Sequence, residues 1–207
     1  MSEPMRDHWW WRPGWQIGRS FYTWHFTFEN QPAMRRLWEH YQPVLSTINT
    51  LDPVDFEVLH LTTQGVGFTD EVTTADIDAI IDRTRHHSAD IEPFTVTVGP
   101  ARIEPETVKM LAQPAEPIIE VRQALRDAIA DIWGTENVPE TMDGFRPHIS
   151  LAYSNTAGPA EPIARALAAS EPATEDILIS TVSLINLNRD YKSYQWRTIA
   201  AVNLGQR

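Results

Sequence analysis

Cysteine is absent from the 207 residues of this chain. This absence excludes disulfides, cysteine-ligated zinc and cysteine nucleophiles. Strongly basic runs are also missing, and the net charge is -11 at pH 7. Because tight binding of a long nucleic acid needs several phosphate-neutralising Lys or Arg side chains, we expect no long nucleic acid as a partner. The charge still allows a small phosphate ligand held by a few local residues.

Long apolar runs are missing as well. No run reaches the ~18 residues of a spanning helix, so no membrane partner is expected. The opening segment MSEPMRDHWWWRPGW is interrupted by charges, Pro13 and Gly14. It lacks the apolar run of about 7–15 residues that defines a signal peptide. Together with the missing cysteine, these features predict a cytoplasmic protein.

The residues that are present make an ordinary globular composition, 42% hydrophobic and 22% charged. Residues 1–18 are predicted to form a Trp-rich N-terminal arm that folds back over an apolar surface. Residues 19–207 mix helical and β patterns without strict alternation, which predicts one α+β domain with mainly antiparallel sheets. The predicted helices cover about 31–48, a segment opening at Thr74, 116–133 and 160–169. The predicted strands cover 19–28, 55–63, 93–99, about 107–112, 146–153, 176–187 and 194–203, with a glycine turn at 64–68.

Histidine carries the most informative pattern. Four of the seven histidines have Ser or Thr two positions later: His25, His60, His86 and His148. Residues i and i+2 share a face on a strand but not on a helix. His86 lies in the polar end of a predicted helix and is set aside. For His25, in the aromatic stretch WHFTF, packing in the sheet is the favoured interpretation.

The segments around His60 and His148 share a plan. In FEVLHLTTQGVGF and FRPHISLAYSNTAG, an aromatic residue precedes the histidine by three or four positions. An apolar residue, a hydroxyl residue and a small-residue segment follow, and then a helix. This similarity indicates a degenerate internal repeat with one histidine per copy.

Two facing histidines have the chemistry of a general base and a general acid, since the ordinary histidine pKa of about 6.5 lies near neutrality. A hydroxyl beside each histidine can donate a hydrogen bond to a phosphate oxygen. Such a site cuts or forms a phosphodiester without a metal. One histidine takes a proton from the attacking oxygen, and the other protonates the departing oxygen.

The motifs HLT at 60–62 and HIS at 148–150 resemble the His-x-Thr/Ser pair of the two-histidine (2H) phosphoesterase superfamily. The most similar branch is that of the bacterial 2'-5' RNA ligase-like proteins, and the resemblance runs from about residue 19 to the end. It implies a bilobal fold with a pseudo-two-fold axis and a central cleft. It implies that His60 and His148 are catalytic and that Thr62 and Ser150 bind phosphate, with no metal or cofactor. It also implies a substrate with a 2',3'-cyclic phosphate or a 2'-5' linkage, either a small nucleotide or a short RNA end.

Further residues are candidates for lining the substrate site: His25, Phe68, Arg146 and Tyr153. Core packing is favoured for Phe68 and Tyr153, and a surface position for Arg146. Tyr194 and Trp196 share a strand face, where packing is again preferred over a wall of the cleft.

Two alternatives to an enzyme of this kind remain open. One is a non-catalytic nucleotide- or phosphate-binding protein of the same fold. The other is a metal site built from His25, His60 and His148, although such sites usually recruit carboxylates as well. Turnover of a cyclic nucleotide separates the first alternative from an enzyme, and a metal analysis tests the second.

Overall fold

The computed structural model describes residues 3–206, which form nine strands, four α-helices and two 3₁₀ turns. The first half contains β1 (Phe21–Thr27), α1 (Pro32–Leu45), β2 (Leu51–Pro53), a 3₁₀ turn (Phe56–Val58), β3 (His60–Phe68), α2 (Thr74–His87) and β4 (Phe94–Glu104). The second half contains β5 (Thr107–Gln113), α3 (Glu116–Trp133), a 3₁₀ turn (Thr135–Asn137), β6 (His148–Ser154), α4 (Glu161–Ala168), β7 (Glu175–Ile179), β8 (Thr181–Asn188) and β9 (Gln195–Asn203). None of the helices in this part of the chain combines the length and apolarity needed to cross a bilayer.

The strands form two antiparallel sheets. One has the order β3-β1-β8-β9, and the other has the order β2-β6-β5-β4-β7. Strands β3 and β6 lie against each other where the sheets meet. Because His60 begins β3 and His148 begins β6, the two motifs start at this junction. The predicted bilobal α+β fold with two antiparallel sheets is confirmed.

Amphipathic helices cover the outer faces of the sheets. In α1 the buried residues Met34, Leu37, Tyr41 and Leu45 follow the helical period. Helix α3 buries one such stripe and ends at Gly134, whose φ of +85° belongs to the region that favours glycine. A capping box between Thr73 and Asp76 begins α2, and its reciprocal hydrogen bonds satisfy two otherwise unpaired N–H groups.

The glycines at 64–68 do not form the predicted turn. They continue β3, in which Gly65 and Gly67 pair with β1. A Cβ at Gly65 would lie 2.8 Å from a Glu140 carboxylate oxygen and 3.2 Å from the Phe21 ring. Glycine inside a strand therefore marks a close approach here rather than a chain reversal. The predicted strand 176–187 is likewise wrong as a single element, because β7 and β8 belong to different sheets.

The N-terminal arm lies on the domain over its described residues, 3–18. Met5 forms a β-bridge with Gly158, and the Met5 and Trp9 side chains are buried. The Trp9 indole N–H donates to Asp52 Oδ2 at 2.8 Å. The arm is thereby held against the end of the five-stranded sheet that carries β2 and β6.

Candidate active site

A cavity of about 510 Å³ opens between the two sheets and the arm. The four motif residues line it together: His60, Thr62, His148 and Ser150. His25 and Tyr153 also line it, whereas Phe68 and Arg146 lie outside the lining. Phe68 packs against the Trp15 and Phe21 rings. The Arg146 side chain is exposed.

The two histidines are held in the same way by their own strands. His60 Nδ1 lies 2.9 Å from the carbonyl oxygen of Val58, and His148 Nδ1 lies 2.8 Å from that of Arg146. A carbonyl oxygen only accepts, so each Nδ1 carries the proton and donates it. In a neutral ring Nε2 then holds the free lone pair. Both histidines therefore offer Nε2 for proton transfer. The two motifs thus share the same hydrogen bond as well as the same sequence pattern.

Burial sets the protonation state of both rings. It lowers the pKa of His60 to about 4; the hydrogen bond to the Val58 carbonyl opposes this shift, and the charge of His148 adds to it. Burial also lowers the pKa of His148, against the hydrogen bond to the Arg146 carbonyl. Lys109 lowers the His148 pKa further, while Glu104 raises it. His60 is thus neutral near pH 7 and suited to accept a proton.

His25 supports the first motif from within the sheet. It pairs with Thr62 across β1 and β3, and its ring stacks on His60 with centroids 4.5 Å apart. Its Nε2 lies 3.2 Å from Thr62 Oγ1. The ring is only 1% exposed, and burial holds its pKa well below the ordinary value. A neutral His25 therefore positions both His60 and the Thr62 hydroxyl.

A strand irregularity brings Tyr153 into the site. The β5–β6 register shifts between Val108 and Lys109, so that Lys109 pairs with Ser150 while Thr107 pairs with Tyr153. Simple alternation would place Ser150 and Tyr153 on opposite faces, but the bulge puts both in the cavity lining. The face of Tyr153 is already occupied, because His8 stacks on it with centroids 4.0 Å apart.

Packing was preferred for Tyr194, but Tyr194 lines the cavity, and its ring centroid is 5.6 Å from that of His60. Sequence reasoning missed several other residues of the lining. Lys109 was detectable as a charge alternating with apolar residues along its strand. His8 and Arg12 had no such signal, because only the folding of the arm brings them to the cavity. Arg189 had none either, because it lies in the loop that follows β8.

Within residues 3–206, no group of three or more His, Asp or Glu side chains is arranged to hold a metal ion. His25, His60 and His148 thus do not form the three-histidine site considered as an alternative. The first two rings stack face to face rather than converging on one point.

Comparisons with known proteins agree with this geometry. The sequence model of the 2'-5' RNA ligase superfamily matches residues 25–190, which include both motifs. No curated protein matches the chain. Among solved structures, TT0787 of Thermus thermophilus is similar with a TM-score of 0.68 and 19% identity, covering 91% of this chain and 99% of that one. Escherichia coli LigT bound to 3'-AMP is similar with a TM-score of 0.62 and 16% identity, over the same shares. The phosphodiesterase domain of MHV ns2 has a TM-score of 0.52 at 8% identity, covering 82% and 99%. At these identities the likeness shows the fold.

Proposed function

Because the chain belongs to the 2'-5' RNA ligase superfamily, we propose that it is a two-histidine phosphodiesterase acting on a 2',3'-cyclic or 2'-5'-linked nucleotide or short RNA end. One observation carries the proposal. His60 and His148 line one cavity, and each donates Nδ1–H to the carbonyl two residues earlier, which leaves both Nε2 atoms free. LigT structures with 3'-AMP and NADP+ support a small nucleotide ligand.

The mechanism follows from the different surroundings of the two rings. His60, the neutral ring, takes a proton from the attacking water as its oxygen bonds to phosphorus. His148 in its protonated form gives a proton from Nε2 to the departing ribose oxygen as the P–O bond breaks. Thr62 and Ser150 donate hydrogen bonds to the non-bridging phosphate oxygens. Ligation uses the same groups in reverse, with a ribose hydroxyl as the nucleophile.

The test is turnover of 2',3'-cyclic AMP and of a 2'-5'-linked dinucleotide, with the phosphate position of the product identified. We expect His60→Ala and His148→Ala each to lower kcat by ~10²–10⁴-fold, the usual contribution of a general acid or base. His25→Ala is expected to reduce turnover less, because His25 only positions its neighbours. His86→Ala is the matched control, since this histidine has the same sequence pattern but lies exposed on α2.

Two outcomes would contradict the proposal. A loss in His25→Ala as large as in His148→Ala, with near-normal His60→Ala, would mean that the first histidine of the pair is wrong. Binding of these nucleotides without any turnover would favour the alternative of a non-catalytic nucleotide-binding protein.

A further inference from the structure

Arg189 is a buried cation at the cavity, and its charge has no carboxylate partner among the residues that the structure describes. It follows β8, is only 4% exposed, and lines the cavity. Across residues 3–206 no carboxylate lies within ion-pair distance of its guanidinium, although Glu106 is near enough to act on it through space. Burying a charge without a partner is costly. A ligand anion in the cavity would offset that cost.

The guanidinium lines the cavity and has donors that no described residue uses. Within the described part of the chain, its hydrogen bonds come from Nη2 alone, to the carbonyl oxygens of His8 at 3.0 Å and Trp10 at 3.3 Å. Arginine has five N–H donors in a planar fork that matches phosphate oxygens. The rings of Trp9, Trp15 and Tyr194 lie 5.6–6.0 Å from the guanidinium carbon and restrict its position. The remaining donors are thus pre-oriented.

The charge of the cavity differs from that of the chain. Its lining includes four cations (Arg6, Arg12, Lys109 and Arg189) and three carboxylates (Glu104, Glu106 and Glu140), which gives 4 − 3 = +1 in a chain of net charge -11. Arg12 is paired with Glu106 at 2.9 Å, and Lys109 with Glu104 at 3.7 Å. Arg6 is unpaired among the described residues but exposed, so water already solvates it.

Arg189 shares the cavity with His60 and His148 but belongs to neither motif. Arg189 and His60 are both neighbours of Tyr194, whose ring is 5.9 Å from the guanidinium carbon of Arg189 and 5.6 Å from the His60 ring. His8 continues the wall, hydrogen-bonded to the Tyr194 hydroxyl at 2.9 Å and stacked on Tyr153. A ligand whose phosphate reaches His60 and His148 would therefore present its opposite end to the arm and Arg189.

We propose that Arg189, fixed in place by the N-terminal arm, forms a second anion subsite that holds the 5'-phosphate of a nucleotide whose 2' or 3' phosphate lies at His60 and His148. The placement of the second phosphate rests on the proposed function. A 2',3'-cyclic phosphate and a 5'-phosphate are attached at different ends of a ribose, so one nucleotide can present an anion to each of the two sites. The substrate class is then a nucleotide, or the end of a short chain, that carries a second phosphate.

The test is calorimetric binding of adenosine 2',5'-bisphosphate and adenosine 2'-monophosphate at one ionic strength. A charge-assisted hydrogen bond supports a preference of ~10–100-fold for the bisphosphate in the wild type. Arg189→Gln is expected to abolish most of that preference, and Arg189→Lys to keep part of it as a point charge. Arg165→Gln, on the exposed face of α4, is the control and should leave the preference unchanged.

Equal affinity of the wild type for the two ligands would overturn the inference, and so would an equal loss for both ligands in Arg189→Gln. If Arg189→Gln fails to fold, the wild-type ratio and the lysine variant decide the question. Neither ligand needs turnover, so the two proposals fail separately. Preference for the bisphosphate without hydrolysis of cyclic nucleotides would support the anion subsite and contradict the phosphodiesterase activity. Hydrolysis without that preference would support the activity and contradict the subsite.

Discussion

The charges beside His148 allow the pH profile to be moved in either direction. Lys109 pairs with Ser150 and Leu111 pairs with His148, so Lys109 and His148 are diagonal neighbours at ~7–8 Å. Burial is the main reason why the His148 pKa lies below 6.5; Lys109 lowers it further and Glu104 raises it. If His148 is the acid, its loss of the proton sets the alkaline limb of the activity profile. Lys109→Gln should then move that limb to higher pH, and Glu104→Gln should move it to lower pH.

The size of the shift follows from the separation. At ~8 Å, two unit charges interact by ~0.5 kcal/mol in water and ~2 kcal/mol at an effective dielectric constant of about 20. One pKa unit corresponds to ~1.4 kcal/mol, so the limb should move by ~0.4–1.5 pH units. The ion pair between Lys109 and Glu104 at 3.7 Å means that the double variant should return close to the wild-type profile. The wild-type maximum itself should lie below pH 6.5, above the His60 pKa of about 4.

The assay is the pH dependence of kcat/KM on 2',3'-cyclic AMP for the wild type, the two single variants and the double variant, because kcat/KM reports the pKa values of the free enzyme. Shifts in opposite directions would support the assignment. An unmoved alkaline limb would mean that His148 does not set it. Shifts of both single variants in one direction would refute the electrostatic reasoning, because the two charges have opposite signs.

Two further predictions concern the histidines. The first uses a p-nitrophenyl phosphodiester, whose leaving group needs no protonation. On this substrate His148→Ala should recover most of its lost activity, while His60→Ala stays impaired. The reverse result would mean that His60 is the acid and His148 is the base. The second concerns stability, because burial lowers the pKa of His8 to about 3 and of His60 to about 4, and that of His25 well below 6.5. As the pH falls, these histidines bind protons in the unfolded chain at a higher pH than in the folded protein. Their contribution to the free energy of unfolding is therefore fully present above about pH 6.5 and is lost as the pH falls. For His60 alone the loss at pH 4 is ~3 kcal/mol. His8→Phe keeps the stacking on Tyr153 and should flatten the fall of Tm with acid; an unchanged slope would show that His8 does not contribute.

The sequence alone determined the local patterns. Histidine and hydroxyl residues two apart share a face on any strand, so the pairs at 60–62 and 148–150 were visible without the fold. The helical periods of α1 and α3 were equally clear, because an amphipathic helix repeats its apolar residues every three to four positions. The family resemblance carried by the two motifs also implied a bilobal fold, which the structure confirms.

The tertiary structure decided what surrounds these pairs. The bulge that brings Tyr153 to the same face as Ser150 depends on pairing with β5, a partner more than 40 positions away in the sequence. The glycines of β3 were misread as a turn, since their need for space comes from Phe21 and Glu140 on other segments. Arg189 and His8 are 181 positions apart and meet only in the folded chain. Local spacing sets which side chains can share a face, whereas long-range packing determines which of them become buried, lose their water and face one cavity.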